Sequence, residues 1–187
     1  EDDALRMVAA ASRGSLRNAI SKLEKINNVG ERITTNTVSM LLGVTNKKTV
    51  SDYINAVLDG SILAGVKASS DALSIGVPPE EFFSQLTYFC HDMMMFGVNG
   101  FDIERTGYLA DEVAMVTTSR DKIANMVGKA NFRKVLLKCE ELLDKYSKRV
   151  TFKEQPQKLA NVLFTAMYLE LKSFKSAYEA TEKGGAA

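Results

Sequence analysis

Asn131-Phe132-Arg133-Lys134-Val135-Leu136-Leu137-Lys138-Cys139-Glu140-Glu141-Leu142-Leu143-Asp144-Lys145-Tyr146 is the clearest amphipathic stretch of the chain. Phe132, Val135, Leu136, Cys139, Leu142, Leu143 and Tyr146 recur at spacings of three and four, which places them on one stripe of a helix. Arg133, Lys134, Lys138 and Lys145 fall on the opposite side. The same period continues through almost all of the 187 residues, and only 3 prolines interrupt it. No stretch reads convincingly as a strand, so the sequence predicts an all-α fold.

Upstream of this helix, Pro78 and Pro79 fix the entry to a long helix, with Glu80 and Glu81 set against the positive end of its dipole. Its stripe is Phe82, Phe83, Leu86, Phe89, Cys90, Met93 and Phe96. Before it lies a hairpin: Val50, Tyr53, Ile54, Val57 and Leu58 share one face, and Asp59-Gly60-Ser61 breaks the helix before a second one runs to about Gly76. Residues 97 to 104 hold two glycines and little periodicity, which predicts a loop, and shorter helices follow around 106 to 115 and 119 to 128. Downstream, a long helix runs from about Pro156 to Tyr178. Apolar residues on more than one of its faces imply contact with several helices or with another subunit.

At the N-terminal side, Asp2 or Asp3 caps a helix carrying Leu5, Val8 and Ala9 that ends near Gly14. Ser15 caps a second helix with the stripe Leu16, Ala19, Ile20, Leu23 and Ile26. A short helix with Val38, Leu41 and Leu42 on one face, closed by Gly43, reads as a hinge into a new unit. The expected organisation is a helical hairpin over 1–30, a larger helical unit over 31–180 and a flexible tail over 181–187.

Composition limits the function. With 45% hydrophobic residues the chain can bury a core, and a net charge of +1 gives no global field for nucleic acid or an anionic membrane. Cys90 and Cys139 lie at apolar helical positions, as expected of buried, reduced thiols in the cytoplasm. No apolar run reaches membrane-spanning length, and an opening Glu1-Asp2-Asp3 without methionine suits a piece of a longer soluble protein. There is no GxxxxGK[ST], HExxH or GxSxG pattern, and the one histidine, His91, has no second ligand at helical spacing, so neither metal nor catalytic residues are assigned. The chain is not expected to be an enzyme by itself.

Charge is unevenly distributed. Residues 120 to 149 hold nine Lys/Arg against four Asp/Glu, and residues 80 to 112 hold seven Asp/Glu against one Arg. Each run reads first as a solvated face; as opposite patches they would also suit head-to-tail packing of subunits. Gly14-Ser15-Leu16-Arg17 stands out for another reason. It combines a tight turn, an N-cap and an arginine in the first helical turn, where the side chain can reach an anion.

The run from Ala9 to Leu23, Ala9-Ala10-Ala11-Ser12-Arg13-Gly14-Ser15-Leu16-Arg17-Asn18-Ala19-Ile20-Ser21-Lys22-Leu23, resembles the last two lid helices of the ATPase module in clamp-loader subunits. The resemblance is to the gamma/tau type of bacterial DNA polymerase III, whose pattern here is A-x-G-S-[ML]-R-D-A-L-S-L-L-D-Q. Thr37-Val38-Ser39-Met40-Leu41-Leu42-Gly43 resembles the family's later V-x-x-M-L-G block, in the same order and at similar spacing. Asn18 stands where the family has aspartate, and Lys22-Leu23-Glu24-Lys25 departs from its L-L-D-Q.

The resemblance implies the end of an ATPase lid followed by an orthogonal or bundle-like helical collar that joins subunits into a ring. It makes Arg17 the lid arginine that senses ATP, with Gly14 and Ser15 forming its turn and cap. ATP and Mg would bind in the full-length parent, not in this piece. Partners would be like subunits and delta-type subunits, and through the assembled loader the sliding clamp and primed DNA. A second reading is a free-standing helical adaptor that binds DNA or protein through the basic segment 129–149, with Arg133, Lys134, Lys138 and Lys145 as its surface.

Overall fold

A computed structural model describes residues 1–12, 14–28, 32–42, 47–74, 76–96, 98, 110–150 and 155–184. The helices are α1 (Asp2–Ala11), α2 (Leu16–Asn27), α3 (Thr35–Leu42), α4 (Lys47–Asp59), α5 (Ile62–Ser74), α6 (Pro79–Met95), α7 (Ala110–Val127), α8 (Lys129–Val150) and α9 (Pro156–Gly184). Among the described residues there is no strand. The all-α expectation is met.

The apolar stripes gather into two cores. The larger is built by α4 to α9, and nearly every residue expected to face inward does so: Val50, Tyr53, Ile54, Val57 and Leu58 on α4, Phe82, Phe83, Leu86, Phe89, Cys90 and Met93 on α6 with Phe96 at its C-cap, and Phe132, Val135, Leu136, Cys139, Leu143 and Tyr146 on α8. Helix α9 touches α4, α5, α7 and α8, which accounts for its broad apolar surface. At the centre Tyr53 meets Phe82 edge-on at 5.5 Å and Phe164 at 5.9 Å. The Tyr53 hydroxyl donates a 2.6 Å hydrogen bond to the Ala160 carbonyl, so its burial leaves no polar atom unpaired. That burial also pushes the phenol pKa well up.

Helices α5 and α9 approach closely because α5 carries glycine at the crossing. A Cβ on Gly65 would lie 2.3 Å from the Phe164 ring, itself held by Tyr53. Gly65→Ala is therefore expected to destabilise by about 1–3 kcal/mol through overpacking, although alanine favours a helix by about 1 kcal/mol. Denaturant unfolding checks this. A variant as stable as the parent, or more so, would contradict the tight crossing.

The smaller core holds α1, α2 and α3, where Ala4, Val8, Ile26 and Val38 are buried and Met7, Leu23, Ile33, Leu41 and Leu42 partly so. One expectation needs correction. The sequence places Leu5, Leu16 and Ile20 on inward stripes, yet they are 52%, 76% and 50% exposed; on α1 Ala4 is buried instead of Leu5, and of the α2 stripe only Ile26 is buried. Helix α3, with which the sequence opens the second unit, also packs onto this core through Val38. An eight-residue helix must bury its few apolar groups on the nearest apolar surface, here α1 and α2.

Further differences concern helix limits. From Ala110 onward the two short helices expected around 106–115 and 119–128 are one helix, α7, while 106–109 lie outside the described residues. Within α7, Thr117 Oγ1 donates to the Val113 carbonyl one turn back at 2.8 Å and buried Ser119 donates to Asn55 Oδ1 at 3.3 Å, so both hydroxyls are bonded without interrupting the helix. Helix α9 continues past Tyr178 to Gly184, through the segment expected to begin the tail. A Lys175–Glu179 ion pair and a Thr181 bond to the Ala177 carbonyl lie on this last stretch. Apart from residue 98, the loop expected over 97–104 lies outside the described residues, as do 185–187.

Candidate functional site

The α1–α2 turn is built from short polar side chains and one glycine. Ser12 is buried, and its Oγ donates to the Val8 carbonyl at 2.6 Å. Gly14 has φ +76°, a left-handed conformation that glycine adopts without a steric penalty, and a Cβ there would meet nothing within 4 Å. The glycine is needed for its backbone angle, not for space. Ser15 then caps α2, its Oγ accepting from the Asn18 backbone N–H at 3.3 Å.

Arg17 follows in the first turn of α2. It is exposed and has no hydrogen bond or ion pair among the described residues. Leu16 and Ile20 lie exposed beside it, so the guanidinium stands at the edge of an apolar strip. Sequence reasoning gave no role to one neighbour. Lys22 is half-buried and donates from Nζ to the carbonyl of Ala11, the last residue of α1. Its spacing from Ala11 carries no motif, so only the folded hairpin reveals this contact.

The four cations expected on the basic surface divide in two. Arg133 and Lys134 are exposed without an ion pair among the described residues, next to exposed Lys129 and Leu137. Lys138 instead pairs with Glu141 at 2.8 Å, a hydrogen bond that raises its pKa. Lys145 lies 5.9 Å from the Tyr146 ring centre. The open basic surface is thus the N-terminal half of α8.

Helix α6, which carries the first part of the acidic run, packs directly against α8, which carries most of the basic run. Part of each run is also paired internally. Glu112 binds Lys47 at 3.2 Å, Lys122 binds Asp59 at 2.6 Å, and Arg120 lies 3.8 Å from Asp121. Burial, only partly offset by Lys47 and His91, pushes the Asp92 carboxyl up to about 6. These pairings weaken the head-to-tail argument drawn from charge alone.

Cys90 and Cys139 are buried free thiols lining one small apolar cavity with Met93 and Met167. Burial raises the Cys90 pKa strongly and that of Cys139 to about 12, which holds both as unreactive thiols. Among the described residues no group of three His, Cys, Asp or Glu could hold a metal, and no helix is long and apolar enough to cross a membrane.

The described residues thus form a two-core, all-α module with a capped arginine turn ahead of its larger bundle. The family model for DNA polymerase III subunits gamma and tau, domain III, matches residues 33–150, and the chain belongs to that family. Relatives include Protein STICHEL of Arabidopsis thaliana, 27% identical over 173 residues, covering 92% of this chain and 13% of that protein. Protein STICHEL-like 1 of the same organism is 31% identical over 94 residues, or 50% of this chain and 8% of its own length. The chain thus spans only a small part of these relatives. No solved structure matches it significantly.

Proposed function

We propose that the chain is the end of an ATPase lid, residues 1–30, and a collar, residues 31–180, of a gamma/tau-type clamp-loader subunit acting in the cytoplasm. The observation that carries this reading is the position of Arg17. It is exposed without a partner among the described residues, held by a capped turn, and lies a short distance in sequence before the domain III match. A charged guanidinium so placed is available for the terminal phosphate of ATP, held with Mg by an ATPase domain of the same protein. The collar then joins gamma/tau-like and delta-type subunits, and the assembled loader places the sliding clamp on primed DNA. Hydrolysis belongs to the ATPase domain, not to these helices.

The exposed Lys129, Arg133 and Lys134 favour a second reading, a helical adaptor that contacts DNA or protein through segment 129–149. Reversing charge at Arg133, Lys134 and Lys138 in the full-length protein separates the two. For the collar, co-purification with delta-type subunits is expected to be unchanged. Loss of salt-sensitive DNA binding, with a salt slope lowered by about one per phosphate contact removed, would support the adaptor instead.

A further inference from the structure

We infer that Lys22 is a positioning residue for Arg17, tying the direction of the lid arginine to the end of the preceding helix. The inference rests on the sensor reading of Arg17 and assigns a second residue to the same site. Helix α1 ends at Ala11 with no basic side chain in its last turn, so its terminal carbonyls lack a cation of their own. Lys22 supplies one from α2, its half-buried ammonium donating to the Ala11 carbonyl across the hairpin.

Apolar packing holds the later part of α2 through Leu23 and Ile26, while two polar tethers hold its earlier part, where Leu16 and Ile20 are exposed, against α1. One is the Ser12-to-Ser15 turn, where Ser15 N–H bonds the Ser12 carbonyl at 3.0 Å. The other is Lys22. Between them lies Arg17, about 7.5 Å along the axis from Lys22 and about 140° around it in an ideal helix, so it projects away from the tethered side. Without Lys22 the helix start would be held chiefly by its turn. That turn contains Gly14, whose surroundings offer no packing within 4 Å of a Cβ position to resist a pivot. A displacement of about 1 Å at a charged group aligned on a reacting phosphate is enough to matter.

The test uses the full-length protein with Lys22→Met, Lys22→Gln, Lys22→Arg, Arg17→Ala and the Lys22→Met/Arg17→Ala double variant. Binding of a fluorescent ATP analogue and of the matching ADP analogue is measured, with thermal unfolding followed in parallel. Lys22→Met is expected to weaken the ATP analogue by about tenfold, leave the ADP analogue unchanged and be no worse when combined with Arg17→Ala. Lys22→Arg, which keeps the cationic donor, should restore ATP binding.

Equal loss of both nucleotides, or losses that add in the double variant, would make Lys22 a merely structural cap and overturn the inference. Full ATP binding by Lys22→Met would do the same while leaving the sensor reading intact. If Lys22→Met does not fold, Lys22→Gln, which retains a neutral donor, decides by the same criteria. An Arg17→Ala variant with no ATP-selective loss would instead remove the sensor reading itself, and the role of Lys22 with it.

Discussion

Arg17→Ala in the full-length protein is expected to lower ATP-driven clamp loading by about ten- to a hundredfold, the loss of a charge-assisted hydrogen bond of about 1.5–3 kcal/mol. Folding should change by no more than about 0.5 kcal/mol, because the side chain is exposed and has no partner to lose among the described residues. This combination is diagnostic. An arginine that held the hairpin together would lower the unfolding temperature, whereas one that senses a phosphate would leave it unchanged and alter only the nucleotide-dependent step. Loading and ATPase rates equal to those of the parent protein would remove Arg17 from the proposed mechanism. Arg17→Lys sharpens the comparison, since it keeps the charge but loses the planar fork that matches phosphate oxygens.

Phe82→Ala should give the largest change in stability. Phe82 is fully buried, meets Tyr53 at 5.5 Å with an interplanar angle of 88°, and meets Phe83 at 6.0 Å. Truncation removes both ring contacts and leaves a cavity where α4 meets α6, at a cost of about 3–5 kcal/mol. For a unit of this size that corresponds to a fall in Tm of roughly 6–20 °C. Calorimetry or circular dichroism on the purified protein measures it. A shift under about 2 °C would mean that the aromatic centre is not the stabilising core described here. Phe82→Leu, which refills most of the volume, should recover the larger part of the loss.

The two effects fall on different parts of the molecule. Arg17 lies on the small hairpin core, where four of the described hydrophobic residues are buried and Leu5, Leu16, Ile20 and Met40 are exposed. Phe82 lies in the large bundle. Stability is expected to reside mainly in the bundle and nucleotide response in the hairpin, so the paired variants should separate assembly from sensing.

Helical periodicity along the chain was sufficient to determine the all-α class, the inward faces of α4, α6 and α8, and the Gly14-Ser15 turn that caps α2. These are local properties: spacing sets which side chains share a stripe, and a glycine, serine or proline marks where a helix begins or ends. Tertiary structure alone decided which stripe met a neighbour. It exposed Leu16 and Ile20, drew α3 onto the hairpin, and paired part of the charge in the acidic and basic runs within the fold. It also brought Lys22 to the end of α1. Periodicity records that a face is apolar, whereas its burial depends on which other surface packs against it, and that is a contact between residues distant in sequence.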